Sequence, residues 1–173
     1  MENQDKLERI IEARMKIKAR FEKKITQTPS VADGTPRGSG QPNRHGMPTI
    51  PIGQTATSKW PVLDLGYQPN ISLERWRLTI DGAVNNPVKL TWKDFLALPQ
   101  TKDVSDFHCV TTWSKLNMHW KGVSMLDLAA LVQPNDNATH MMCYGYDTYS
   151  TNLSLEEALK PDVLLVHTYE GQP

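Results

Sequence analysis

The chain has 173 residues, and its 19 Lys and Arg balance 19 Asp and Glu, so the formal charge is zero at pH 7. This length suits one domain with a real core, and the charge balance argues against nucleic acid or an anionic membrane as the main partner. Cys109 and Cys143 are too few for a disulfide framework and fit a reducing compartment. No apolar run reaches the roughly 18 residues of a membrane span. Charge from Glu2 onward leaves no secretory core and no twin-arginine signal. The expected location is the cytoplasm.

Residues 2–25 read as one helix, with Leu7, Ile10, Ile11, Phe21 and Ile25 at spacings near three and four among dense mixed charge. It is either a solvated helix with a thin apolar stripe or a partner-binding arm; too few clean heptads occur for a coiled coil. Residues 26–58 change composition, with Pro29, Pro36, Pro42, Pro48 and Pro51 among Gly34, Gly38, Gly40, Gly46 and Gly53. Such a stretch buries too little apolar surface to order itself, so it reads as a linker or an extended arm lying on a domain of residues 59–173.

Within that domain Trp60–Gly66 is apolar and ends in a turn. Arg75–Ile80 alternates as a half-buried strand. Asp81-Gly82 marks a turn, and Val88–Leu90 is placed to pair back. Thr91 with Asp94 forms a capping box for a helix from Trp92 that stops by Pro99. Val104–Val110 is a strand that leads into a loop holding Cys109, and His119 and Lys121 fall in the turn before Gly122. Ser124 with Asp127 caps a helix over Met125–Val132 that is apolar on nearly every side and should be buried. Thr139–Tyr146 is a strand with Cys143 in its core face, and Asp147–Asn152 is a polar loop. Ser154 with Glu157 caps a short helix ended by Pro161, and Asp162–Thr168 is a continuous apolar strand that should be fully buried. The whole is a mixed α+β domain: a mostly β core covered by short helices, with the cysteine loop at one end of a strand.

By residue type alone Cys109 is a nucleophile, a soft metal ligand or a buried structural cysteine. Adjacent strand residues face apart, so His108 is a poor base for a Cys109 nucleophile. Thr111, Thr112 and Ser114 bring hydroxyls, each of them an ordinary turn residue by itself. Trp113 reads as packing.

The full string His108-Cys109-Val110-Thr111-Thr112-Trp113-Ser114-Lys115, followed by Trp120-Lys121-Gly122-Val123, resembles the cysteine loop of the sulfite-oxidase-like molybdopterin oxidoreductases, in particular the small soluble bacterial members. The methionine-sulfoxide reductase branch is a cousin. The resemblance covers Lys59–Pro173. It implies a molybdenum-molybdopterin cofactor, Cys109 as the one protein ligand to the metal, and oxo-transfer redox chemistry on a small substrate. It also implies cofactor contacts at His108, Thr111 and Ser114.

Tyr144–Leu155 is similar to the sulfite oxidase segment that carries an active-site tyrosine. That maps a catalytic phenol onto Tyr149 and a cofactor-binding aspartate onto Asp147. Trp60–Gly66 stands where the family has its first cofactor-binding segment, and Asp64 matches a glutamate there. The sulfite oxidases place an arginine five residues after the cysteine, where this chain has Ser114. Sulfite is an anion that wants fixed guanidinium groups, so this departure argues against sulfite as the substrate; Lys115 offers only a point charge. No haem or iron–sulfur motif is present, which implies a separate electron-transfer protein as partner. The family continues past Gly171-Gln172-Pro173 with strands that hold the cofactor phosphate, so the chain is expected to be incomplete at its C-terminus. The alternative reading is a cofactor-free interaction protein, or remnant, with a structural Cys109.

Overall fold

The structure, a computed structural model, describes residues 38–61 and 68–172, together with positions 8, 11, 12, 15, 16, 18, 19 and 23. The eight N-terminal positions are helical, and Lys16 pairs with Glu12 one turn earlier at 2.7 Å. The glutamate lies N-terminal to the lysine, the favourable order on a helix. The rest of residues 2–25, the first part of the Pro- and Gly-rich stretch, and Asp64 lie outside the described residues.

The chain divides into two compact units. One takes in the described residues before Gly66 with Ser105–Met118, and the other those of Tyr67–Val104 and His119–Pro173. In the first, β1 (Ser39–Pro42) and β2 (Pro48–Ile50) form an antiparallel hairpin. Its turn is closed by Asn43, whose Oδ1 accepts the amide protons of His45 and Met47. A third strand, β3 (Thr55–Ala56), runs parallel to the start of β7 (Trp113–Ser124), with Thr55 opposite Trp113 and Ala56 opposite Ser114. In its described part the prolines and glycines do not prevent order, because β1 and β2 pair with each other and β3 pairs with β7. β6 (Thr101–Cys109) pairs with β7. Trp60, Phe107 and Trp113 pack ring against ring at centroid distances of 5.4 to 5.7 Å.

In the second unit β4 (Arg77–Ile80) and β5 (Val88–Thr91) pair antiparallel. Helix α1 (Trp92–Ala97) follows. Both halves of the Thr91–Asp94 capping box are present, and Leu98 turns extended ahead of Pro99 as the proline ring requires. α2 (Met125–Val132) comes next, then the hairpin of β8 (His140–Tyr144) and β9 (Ser150–Ser154). α3 (Leu155–Ala158), capped by Ser154, leads to β10 (Leu164–Tyr169), antiparallel to the second half of β7. Phe95, Val123 and Leu128 form the core, surrounded by Trp76, Leu78, Ile80, Trp92, Leu98, Met125 and Leu165. The architecture is mixed α+β, mostly strands with short helices, as the sequence suggests.

Several details differ from the sequence reading. His119 and Lys121 are strand residues of β7, not turn residues. Ser150–Asn152 belong to β9; on a ribbon exposed to water a polar strand needs no apolar alternation. β10 is only half-buried, with Val166 41% exposed, because its ladder partner among the described residues is β7 on one side. α2 buries Leu128 and Val132 but leaves Leu126 exposed, since only one of its apolar faces has cover. Ser124 caps that helix through the Leu126 amide rather than by a box with Asp127.

Candidate functional site

Cys109 ends β6, and the chain reverses at once. The Thr112 amide donates to the Cys109 carbonyl at 3.0 Å, closing a four-residue turn with Val110 at its tip, 85% exposed. Thr112 leaves the turn at φ 76°, an uncommon conformation for a β-branched residue, and is buried there. Cys109 is a half-buried free thiol with Sγ 3.1 Å from the Thr111 hydroxyl.

Behind the turn lies a polar chain that begins in the Pro- and Gly-rich stretch. Gln54 Nε2 donates to the Cys109 carbonyl at 3.1 Å, and the Ser114 hydroxyl donates to Gln54 Oε1 at 2.6 Å. Ser114 Oγ in turn lies 2.9 Å from His108 Nδ1. Main-chain bonds tie the same stretch down: Thr55 N–H to the Thr112 carbonyl at 3.1 Å, and Thr57 N–H to that of Ser114 at 2.9 Å. The structure thus brings Cys109, His108, Thr111 and Ser114 together. Gln54 is the residue that sequence reasoning missed. Its partners lie 55 and 60 positions away, and no local pattern announces that. Lys115 stands over the Trp60 ring, its Nζ 4.7 Å from the centroid, a cation–π contact.

In the second unit, Asp147 and Tyr149 sit in the turn between β8 and β9. Asp147 Oδ1 accepts the Tyr149 amide proton at 3.1 Å, and the Gly145 amide donates to the Tyr149 carbonyl at 2.8 Å. Thr148 takes φ 69° between them. The carboxylate therefore shapes the turn that presents Tyr149, whose side chain is exposed. Cys143 is half-buried in β8, opposite Thr151.

The donor set fits a metal that brings most of its own ligands. Among the described residues no group of three or more His, Cys, Asp or Glu is placed to hold an ion, whereas Cys109 presents one soft sulfur with a hydroxyl beside it. The buried indole N–H of Trp113, four residues on, has no hydrogen-bond partner among the described residues. A buried donor of that kind is costly unless something accepts from it.

Comparison with known proteins shows the family. The family model described as oxidoreductase molybdopterin binding domain matches residues 65–173. The uncharacterized oxidoreductase YuiH of Bacillus subtilis is 32% identical over 141 residues, 81% of this chain and 69% of that protein. The putative protein-methionine-sulfoxide reductase subunit YedZ1 of Azospira oryzae is 31% identical over 97 residues, 56% of this chain and 37% of that protein. The sulfane dehydrogenase SoxCD from Paracoccus pantotrophus superposes with a TM-score of 0.54 at 20% identity, covering 60% of this chain and 31% of that one, and so shares the fold. The chain spans about a third of the last two proteins.

Proposed function

The chain belongs to the family of oxidoreductase molybdopterin-binding domains, and from that premise we propose a sulfite-oxidase-like enzyme in which the Cys109 thiolate is the single protein ligand to molybdenum. When bound, molybdenum-molybdopterin supplies two-electron redox chemistry that moves an oxygen atom to or from a small substrate. The observation that carries the reading is the cysteine turn, a half-buried thiol at a strand end with the Thr111 hydroxyl 3.1 Å from its sulfur. A thiolate is the soft anionic ligand a sulfur-bound metal prefers. With Cys109 ionised, the Thr111 hydroxyl donates to it and moderates its charge, as groups behind a ligand do.

His108 and Asp64 bind the cofactor in this reading, and Ser114 serves it by holding His108. Asp147 also contributes, through the turn it shapes. Tyr149 donates from its phenol to a substrate oxygen as charge develops there. Ser114 stands where sulfite oxidases carry a guanidinium, which favours an oxo donor or acceptor other than sulfite. Electrons pass to or from a separate protein. No helix among the described residues is long and apolar enough to cross a membrane, and the two free thiols favour the cytoplasm. The layout proposed with it is a charged helical arm over residues 1–25, a linker or extended arm over 26–58, and the redox domain over 59–173.

X-ray absorption at the molybdenum edge tests the ligand. Changing Cys109→Ser should remove one sulfur from the metal's coordination shell; an unchanged shell contradicts the assignment.

A further inference from the structure

The hydrogen bonds behind the cysteine turn can run in only one direction. The Cys109 carbonyl can only accept, so the atom of Gln54 facing it at 3.1 Å is the amide nitrogen. That fixes which way round the amide lies. Its oxygen then meets the Ser114 hydroxyl at 2.6 Å, and an amide oxygen also can only accept. Ser114 has a single hydroxyl proton, and it is committed to Gln54. The 2.9 Å contact between Ser114 Oγ and His108 Nδ1 therefore requires Nδ1–H to donate into the hydroxyl lone pair. A neutral His108 carries its proton on Nδ1 and keeps the lone pair on Nε2.

Burial gives this logic force. Ser114 is 0% exposed and Gln54 is half-buried, so water does not readily replace a mismatched partner. The Cys109 carbonyl meanwhile takes two protons, from Thr112 N–H and from Gln54, which uses both of its lone pairs.

We propose that Gln54 is a positioning residue of the cysteine turn: its amide braces the Cys109 carbonyl and, through Ser114, sets the His108 tautomer that leaves Nε2 as an acceptor. The consequence for the metal rests on Cys109 being its ligand. The brace itself is a property of the protein and is read without the metal.

Nitrogen NMR of the histidine-labelled full chain at about pH 8, where imidazole is neutral, tests it. His108 in the wild type should show a protonated Nδ1 and an unprotonated Nε2. Ser114→Ala and Gln54→Ala should release that preference and let the Nε2–H form appear. Gln54→Glu separates the two roles of the amide. A carboxylate still accepts from Ser114, so the tautomer should hold, but it cannot donate to the Cys109 carbonyl. Hydrogen exchange at the Thr112 amide should then quicken roughly threefold to tenfold. A wild-type His108 in the Nε2–H form, a tautomer unmoved by Ser114→Ala and Gln54→Ala, or an unchanged Thr112 exchange rate in Gln54→Glu overturns the proposal. Molybdenum retention in Cys109→Ala reports separately on the ligand. If the tautomer and exchange results hold while Cys109→Ala keeps its molybdenum, the brace stands and the fault lies with Cys109 as ligand.

Discussion

The phenol of Tyr146 closes on both ends of Arg77, accepting its amide proton at 2.8 Å and donating to its carbonyl at 3.0 Å. This clamp joins the first residue of β4 to the turn that follows β8, 69 positions away. Because Tyr146 is half exposed, water takes over part of what is lost on its removal. We predict that Tyr146→Phe lowers unfolding free energy by about 1 kcal/mol, measured by urea denaturation, and speeds exchange at the Arg77 amide. A variant as stable as the wild type with unchanged exchange would show that the clamp carries no weight.

Gly122 is buried where β7 meets β10. A Cβ there would run into the Leu165 carbonyl and come within 2.8 Å of the Val166 Cα. Both obstacles are backbone, so neither can swing aside. Gly122→Ala should cost about 1–3 kcal/mol, the usual penalty for overpacking. Thermal melts check this, and an unshifted midpoint would mean that the strands approach less closely than described.

His167 is half-buried against Trp92 and Phe95, with ring centroids 5.8 and 5.6 Å away. Its Nε2 lies 2.7 Å from Gln100 Oε1 and its Nδ1 2.8 Å from Thr168 Oγ1. Burial, with the charge of Lys121 second, holds its pKa below the ordinary 6.5. The unfolded chain therefore takes up this proton first as pH falls. Stability is full above about pH 6.5 and is lost as pH drops from there through the folded value. His167→Gln should flatten the fall in melting temperature between about pH 7 and pH 5 relative to the wild type. Parallel pH profiles in the two proteins would exclude His167 as the source.

Tyr149 is exposed at the base of the β8–β9 turn, with its amide held by Asp147. If its phenol donates to a substrate oxygen, Tyr149→Phe keeps the cofactor and slows turnover on the order of 10²-fold. Steady-state rates across small oxo donors and acceptors measure it, and rates equal to wild type would remove Tyr149 from the chemistry.

What could be read from the sequence was what local chemistry dictates. The Thr91–Asp94 box needs only residues three apart, and both of its bonds form. Leu98 ahead of Pro99 is forced extended by one ring. The cysteine string pointed to the family, which the match over residues 65–173 bears out. β7 was missed although Leu116, Met118 and Trp120 alternate with Asn117, His119 and Lys121. Ser114 and Gly122 break the apolar set at its ends, and β3 and β10 come from distant sequence. Gln54 was not legible at all. A glutamine among prolines and glycines acquires a role only when β3 lies down beside Trp113 and Ser114.

The most direct test of the account is molybdenum and pterin content, by elemental mass spectrometry and fluorescence after oxidation, in the full chain and in Cys109→Ala. The account predicts both near one per chain in the wild type and loss of molybdenum in the variant, because in the proposed reading Cys109 is the single protein ligand to the metal. Stoichiometric molybdenum in Cys109→Ala, or neither molybdenum nor pterin in the wild type, would contradict it.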